Sequence, residues 1–324
     1  MALVTGGAGF IGSHLVDRLL ADGKQVTVLD NFSTGRETNL RHVIGHERLR
    51  VVDGSVLDTD LVDRLVAEHA TVYHLAAAVG VRYIVAEPLA SLLTNVRGTE
   101  VVLAAAHKHH ARVLIASTSE VYGRSQQIPF REDGERVLGP TWVHRWSYST
   151  AKAIDEHLAF AYADLGLQVT VVRYFNSYGP RIDESGYGSV VARFAAQALR
   201  GETMTVHGDG EQTRCFTFVR DTVEGTVRAA TSDVAIGAVF NIGREHEVTV
   251  RDLAERVRAT LGSTSAIELV PYESYYPRGF EDTRRRVPDM TKAREVLGFQ
   301  AVVGLDEGLR ETLDWCRRNY AASR

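Results

Sequence analysis

Cysteine is almost missing from this chain: Cys215 and Cys316 are the only two in 324 residues. Far apart as they are, they form neither a disulfide framework nor a zinc-ligand spacing. No apolar run approaches the roughly 18 residues that a membrane span requires. There is no basic excess either: 37 Lys and Arg against 41 Asp and Glu give a net charge of −4, which excludes the electrostatic footprint of a nucleic-acid binder. The first residues lack the charged start and apolar stretch of a secretory signal, so a cytoplasmic location is the default expectation. No internal repeat and no low-complexity segment is found. The remaining composition, 44% hydrophobic and 24% charged, is that of a soluble globular enzyme with one large core or two smaller ones.

The chain opens on a pattern with a physical meaning. Ala2-Leu3-Val4-Thr5 is a short apolar strand, and it runs into Gly6-Gly7-Ala8-Gly9-Phe10-Ile11-Gly12, with a helix expected from about Ser13. A helix N-terminus carries partial positive charge and unpaired N–H groups, which suit a pyrophosphate. Gly6 and Gly9 let the backbone approach it, and Gly12 lets helix and strand close together. Val26-Thr27-Val28-Leu29 reads as a second strand ending at Asp30, near the spacing of a ribose-binding acid. An acid there bonds a 2′-hydroxyl and repels a 2′-phosphate, which points to NAD rather than NADP.

Strand-like and helix-like segments then alternate. Further strands are expected to end at Val51-Val52 and to cover Thr71–Leu75, Arg112–Ala116 and Val169–Val172. Helical spacing covers Leu61–Val66, a long stretch to about His110, and Ala151–Leu165. The alternation argues for an α/β fold, a doubly wound parallel Rossmann sheet over residues 1–178. After Gly179 the rhythm weakens, with short segments at Met204–Val206, Cys215–Val219 and Val239–Ile242 and a helix at Leu253–Leu261. Residues 179–324 are read mostly as a smaller α/β substrate-binding lobe, from which the chain crosses back. Ligands of such folds bind at the carboxyl ends of the strands.

Tyr148 and Lys152 stand four apart, on one face of the expected helix. A phenol titrates near pH 10, and a neighbouring ammonium favours its ionised form. The pair is therefore read as a base and its activator, against the plainer reading of a ring packed over a Lys stem. The run Ser117-Thr118-Ser119-Glu120-Val121-Tyr122-Gly123 follows the fifth strand and places hydroxyls and a carboxylate at the ligand crevice. Arg173-Tyr174-Phe175-Asn176-Ser177-Tyr178-Gly179-Pro180 follows the sixth, where Asn176 is placed to donate to a sugar or phosphate. His107-Lys108-His109-His110 is read as the solvated cationic end of a helix, and no metal is expected.

These motifs resemble, over nearly the whole chain, the extended short-chain dehydrogenases/reductases that epimerise, dehydrate or decarboxylate nucleotide sugars. Also matching are His74-Leu75-Ala76-Ala77, Asn95-Val96-Arg97-Gly98-Thr99, Gly208-Asp209-Gly210-Glu211-Gln212-Thr213-Arg214 and Val219-Arg220-Asp221. The resemblance implies tightly held NAD, a nucleoside-diphosphate sugar oxidised at C4, and a homodimer through the helices around 90–108 and 148–165. By position it implies that Thr118 polarises the C4 oxygen, Tyr148 is the base and Lys152 its activator. It implies a cofactor site of Gly6, Gly9, Phe10, Ile11, Gly12, Asp30, Asn31, Ser55, Val56, Leu75, Ala76, Ala77 and Asn95, together with Tyr148 and Lys152. Asn176, Tyr178, Arg193 and Arg214 would contact substrate, Arg214 at the diphosphate. Ser55 stands where relatives carry an acid on the adenine amine, so either adenine recognition is looser here or Asp58 or backbone groups serve instead.

Which reaction follows C4 oxidation depends on the residues beside Thr118. Dehydratases carry Asp-Glu; here the pair is Ser119-Glu120, which lacks the donor to a leaving hydroxyl. Thr118 to Gly123 resembles the UDP-glucuronate decarboxylases, which also carry an arginine two residues before a proline. Arg286 of Arg284-Arg285-Arg286-Val287-Pro288 matches it, and Tyr275 to Asp282 is similar to the aminoarabinose-pathway members. UDP-glucuronate decarboxylation, giving a UDP-4-keto-pentose or UDP-xylose, is the expected activity. 4-Epimerisation of UDP-glucuronate or UDP-glucose stays open as the alternative, with Arg286, Thr118 and Ser119 anchoring the carboxylate in the uronate case, and a non-catalytic NAD-sensing role is a third class, disfavoured by the retained Thr118, Tyr148 and Lys152.

Overall fold

The computed structural model describes residues 1–78, 87–183, 189–274 and 282–320. Its strands are β1 (Ala2–Thr5), β2 (Val26–Asp30), β3 (Leu49–Asp53), β4 (Thr71–His74), β5 (Arg112–Thr118), β6 (Val169–Tyr174), β7 (Ser177–Tyr178), β8 (Met204–His207), β9 (Thr213–Cys215), β10 (Thr217–Phe218), β11 (Val239–Ile242), β12 (Glu247–Thr249), β13 (Ile267–Val270) and β14 (Arg285–Arg286). Seven of them form one parallel sheet in the order β11-β6-β5-β4-β1-β2-β3.

Side-chain alternation along these strands builds a core on each face. Leu3, Val72, Val113, Ile115 and Val171 point to the side covered by the helices Thr59–Ala67, Pro88–His109 and Ser147–Asp164. Val4, Tyr73, Leu114 and Val172 point to the other, against Leu15, Val16 and Leu19 of the helix Phe10–Ala21 and Val223 and Val227 of the helix Val219–Thr231. That second core continues without a break into the C-terminal helices Val250–Leu261 and Leu305–Asn319.

The strands run in register, so Thr5, Asp30, His74, Thr118 and Tyr174 all finish at one edge of the sheet. Above that edge lie the small sheets β12-β9-β14, β13-β8 and β10-β7. Two local readings need correction. The first helix starts at Phe10, not Ser13. Cys215–Val219 is not one strand: β9 ends at Cys215, β10 covers Thr217–Phe218, and Val219 already opens a helix. Val239–Ile242, grouped in sequence with the short segments after Gly179, pairs with β6 as the edge strand of the main sheet. Among the described residues no helix is long and apolar enough to cross a membrane.

Candidate active site

The glycine turn leaves β1 at Gly6, whose φ of +72° is a left-handed conformation that glycine adopts freely. A Cβ on Gly6 would lie 2.7 Å from the Ala76 amide nitrogen, and one on Gly12 would lie 2.1 Å from the Gly6 carbonyl oxygen. Loop, helix and the end of β4 therefore touch backbone to backbone. The helix Phe10–Ala21 follows directly, and no described side chain caps its N-terminus. Asp30 is buried and accepts the Ala8 and Phe32 N–H groups, each at 2.9 Å. Burial pushes its carboxyl above the usual range while those two bonds pull the other way. A carboxylate has about four acceptor sites, so room is left for ribose hydroxyls. An uncapped helix start, glycines too tight for any Cβ and a buried acid at the end of β2 fit a dinucleotide.

Other expected cofactor residues have structural duties. Asn95, buried on the helix Pro88–His109, accepts the Ala78 N–H at 2.7 Å and donates to the Ala78 carbonyl at 3.2 Å. It clamps the loop that carries Leu75, Ala76 and Ala77. Asn31 makes a turn by accepting from Ser33, and Ser55 does the same for Leu57 beside the buried Val56. Asp58 caps the helix Thr59–Ala67 through the Leu61 N–H at 3.0 Å.

At the centre of the edge, Thr118 ends β5 and its hydroxyl accepts the Glu120 N–H at 3.2 Å. Ser119 is buried in the same turn. Tyr148 and Lys152 lie on the helix Ser147–Asp164, both buried. Lys152 donates to Asp155 at 2.9 Å, within a fully buried ion pair. The expected lowering of the Tyr148 phenol draws on Lys152 together with a positively charged nicotinamide, and the chain alone supplies only the first. Burial first, then the carboxylates of Glu120 and Asp155, push that phenol above its ordinary value.

Glu120 is gripped by two arginines. Arg145 donates to one carboxylate oxygen and Arg286 stands 3.5 Å from the other. Burial alone would raise the Glu120 carboxyl, but Arg145 and Arg286 outweigh it and hold it below the usual range. Glu120 is thus a carboxylate at neutral pH, able to accept a proton or hold a water rather than donate. The Arg286 guanidinium is lowered to about 10, by burial and by the neighbouring Arg214 and Arg145 charges. Strand pairing explains the crowding, since β14 sets Arg286 directly beside Arg214 of β9. Arg214 donates to Asp282 at 2.7 Å, and Tyr272 donates to the same carboxylate at 3.1 Å. Asp282 and Tyr272 also line an open cavity of about 270 Å³ with Asp209, Gln212, Thr283 and Arg284.

Arg145 and Asp282 escaped the sequence reading. Arg145 lies outside every motif used, and its only signal is its place three residues before Tyr148. Asp282 closes the Tyr275–Asp282 segment, of which 275–281 lie outside the described residues. Behind the site, Arg173 makes a two-pronged pair with Glu156 at 3.0 and 2.7 Å and donates to Tyr122 at 2.8 Å. Ser117 also donates to Glu156, so β5, β6 and the Tyr148 helix are tied by one buried network.

Three expected substrate residues make contacts within the chain. Tyr178 is a core residue: its ring packs edge-on against Phe216 and Phe218, and its hydroxyl donates to the Leu305 carbonyl at 3.2 Å. Asn176 adopts φ +38° and donates to the Cys215 carbonyl at 3.2 Å, fastening β6 to β9. Arg193, on the helix Val190–Arg200, bonds the Thr205 carbonyl and approaches His207 at 3.3 Å. Of the His107–His110 run, Lys108 and His109 pair with Asp63 and His110 closes its helix at φ +56°.

A family model described as GDP-mannose 4,6 dehydratase matches residues 3–312. The chain is 43% identical over 315 residues to a UDP-N-acetyl-alpha-D-glucosaminuronate decarboxylase of Bacillus cytotoxicus, covering 97% of each. It is 39% identical to UDP-glucuronic acid decarboxylase 1 of Danio rerio, over 98% of this chain and 72% of that one. Among solved structures, a UDP-glucose 4-epimerase of Thermotoga maritima with UDP-glucose superposes with a TM-score of 0.88 at 34% identity, over 98% of this chain and 99% of that one. A dTDP-glucose 4,6-dehydratase of Streptomyces venezuelae with NAD bound gives 0.89 at 30% identity, over 99% and 98%.

Proposed function

The chain belongs to the family described as GDP-mannose 4,6 dehydratase, of the extended short-chain dehydrogenase type, and from that we propose that it is an NAD-dependent UDP-glucuronate decarboxylase. The observation that carries the reading is the ionised Glu120 between Arg145 and Arg286, in place of the acidic pair that a dehydration would need. The decarboxylases of Bacillus cytotoxicus and Danio rerio support it.

In this reading Gly6, Gly9 and Gly12 admit the dinucleotide and Asp30 takes the ribose. Bound NAD supplies the hydride acceptor for C4 and a positive charge beside the phenol. Thr118 donates to the C4 oxygen and Tyr148 accepts its proton as the ketone forms. The C6 carboxylate is then β to a ketone. Arg286 orients it, the C5–C6 bond breaks, and carbon dioxide leaves. The electron pair passes to the C4 oxygen as an enolate, which the Thr118 and Tyr148 hydroxyls stabilise. A water held at Glu120 returns a proton to C5. Arg214 takes the diphosphate, releasing Asp282. Exposed Leu89, Leu93 and Ile154 on the two long helices are where a second copy of the chain would pack.

The 4-epimerase reading has the Thermotoga maritima structure behind it. An epimerase of a neutral hexose has no use for two arginines around a buried carboxylate. Arg286→Met tests the part given to that arginine: carbon dioxide release from UDP-glucuronate should fall roughly 10²–10³-fold while UDP affinity changes little. Undiminished release would contradict the role.

A further inference from the structure

Tyr148, Lys152 and Asp155 occur at i, i+4 and i+7 of one helix, so a phenol, an ammonium and a carboxylate follow one another along a single face. All three are buried, and Asp155 has no solvent exposure at all. The Lys152 Nζ donates to Asp155 Oδ2 at 2.9 Å. Asp155 Oδ1, equally buried, has no hydrogen-bond partner among the described residues. A sequestered carboxylate with one oxygen unmatched is costly, and helix packing would be served better by alanine there. What the carboxylate does gain is a fixed place for the Lys152 ammonium, one helical turn from Tyr148.

We propose that Asp155 is a positioning residue for the base: it holds the Lys152 ammonium in place and offsets that ammonium's charge at the Tyr148 hydroxyl. The proposal rests on the reading of Tyr148 as the base. Other charges surround this face, and on β6 Arg173 is taken up by Glu156. Glu120 arrives on the turn after β5, where Arg145 and Arg286 already engage it. His74, at the end of β4, is held neutral because burial and Lys152 lower it to about 3. On the adjoining helix Pro88–His109, Arg97 and Glu100 are exposed. Asp155 thus joins Glu120 in disfavouring a phenolate, and it differs from Glu120 in having no arginine partner among the described residues.

Asp155→Asn keeps the shape and an acceptor for Lys152 while removing the charge. The phenolate then gains stability, and Tyr148 ionises at lower pH. The test labels tyrosine Cζ with carbon-13 in the NAD-loaded protein and follows the phenol-to-phenolate shift with pH. The Tyr148 signal is the one lost in Tyr148→Phe. Asp155→Asn should lower its midpoint by roughly one unit, Asp155→Ala, which also frees the Lys152 ammonium, by less, and Asp155→Glu should keep the parent midpoint. A midpoint unmoved or raised when the charge is removed overturns the proposal. So does the absence of any Tyr148 titration below about pH 11 in the charge-free variants. No sugar is needed, so a failure to release carbon dioxide from UDP-glucuronate strikes the decarboxylase reading and leaves this result standing.

Discussion

Under the proposed mechanism Tyr148 accepts a proton where burial and two carboxylates oppose the ionised form. It can do so only with positive charge beside it, from Lys152 and from bound NAD. Tyr148→Phe keeps the ring and its packing and removes the acceptor. Turnover should fall roughly 10²–10⁴-fold, with UDP affinity measured by calorimetry unchanged within a few-fold. Unchanged turnover would take Tyr148 out of the reaction. Tyr148, Lys152, Thr118 and Glu120 were legible as site candidates because each lies in a short stretch that the strand–helix alternation places at the ligand edge of the sheet. Arg145 was not, since its partner Glu120 lies 25 residues away and their meeting depends on how the turn before the helix folds onto β5. Tyr178 misled for a related reason: an aromatic hydroxyl in a motif gives no sign that its ring faces Phe216 and Phe218.

Among the elements, the first turn and its helix have the least tolerance. A Cβ at Gly12 would meet backbone, the Gly6 carbonyl oxygen at 2.1 Å and the Gly7 Cα at 2.9 Å, so no side chain can move aside. Gly12→Ala should cost about 1–3 kcal/mol of stability and weaken NAD binding together, read by thermal unfolding and fluorescence titration. An alanine variant that keeps both would show that the loop has slack that the contacts deny. This turn was the most legible part of the fold, because strand, glycines and helix are contiguous. β11 was the least legible. Val239–Ile242 has the same short apolar look as Met204–Val206, and only long-range pairing with β6 sends one to the main sheet and the other to the upper lobe.

At the scale of the whole molecule, a buried and a half-buried neutral histidine contribute to the response to acid. Burial and neighbouring cations lower His14 to about 4 and His74 to about 3, both from 6.5. Above pH 6.5 these rings are neutral in folded and unfolded chains alike. As pH falls toward 4 the unfolded chain takes up protons that the folded one refuses, so stability is lost across that window. Glu120, held low by its arginines, adds to the loss below about 4.5 in the same direction. The unfolding temperature should therefore drop steadily between pH 6.5 and pH 4, and a flat profile would mean that these groups are accessible to protons in the fold. The central claim, however, concerns what leaves the sugar. The direct measurement incubates the chain with NAD and UDP-glucuronate and reads the product by mass and NMR. The account predicts a nucleotide sugar lighter by one carbon dioxide, with a pentose or 4-keto-pentose spectrum. A product of unchanged mass with the spectrum of the C4 epimer would contradict it.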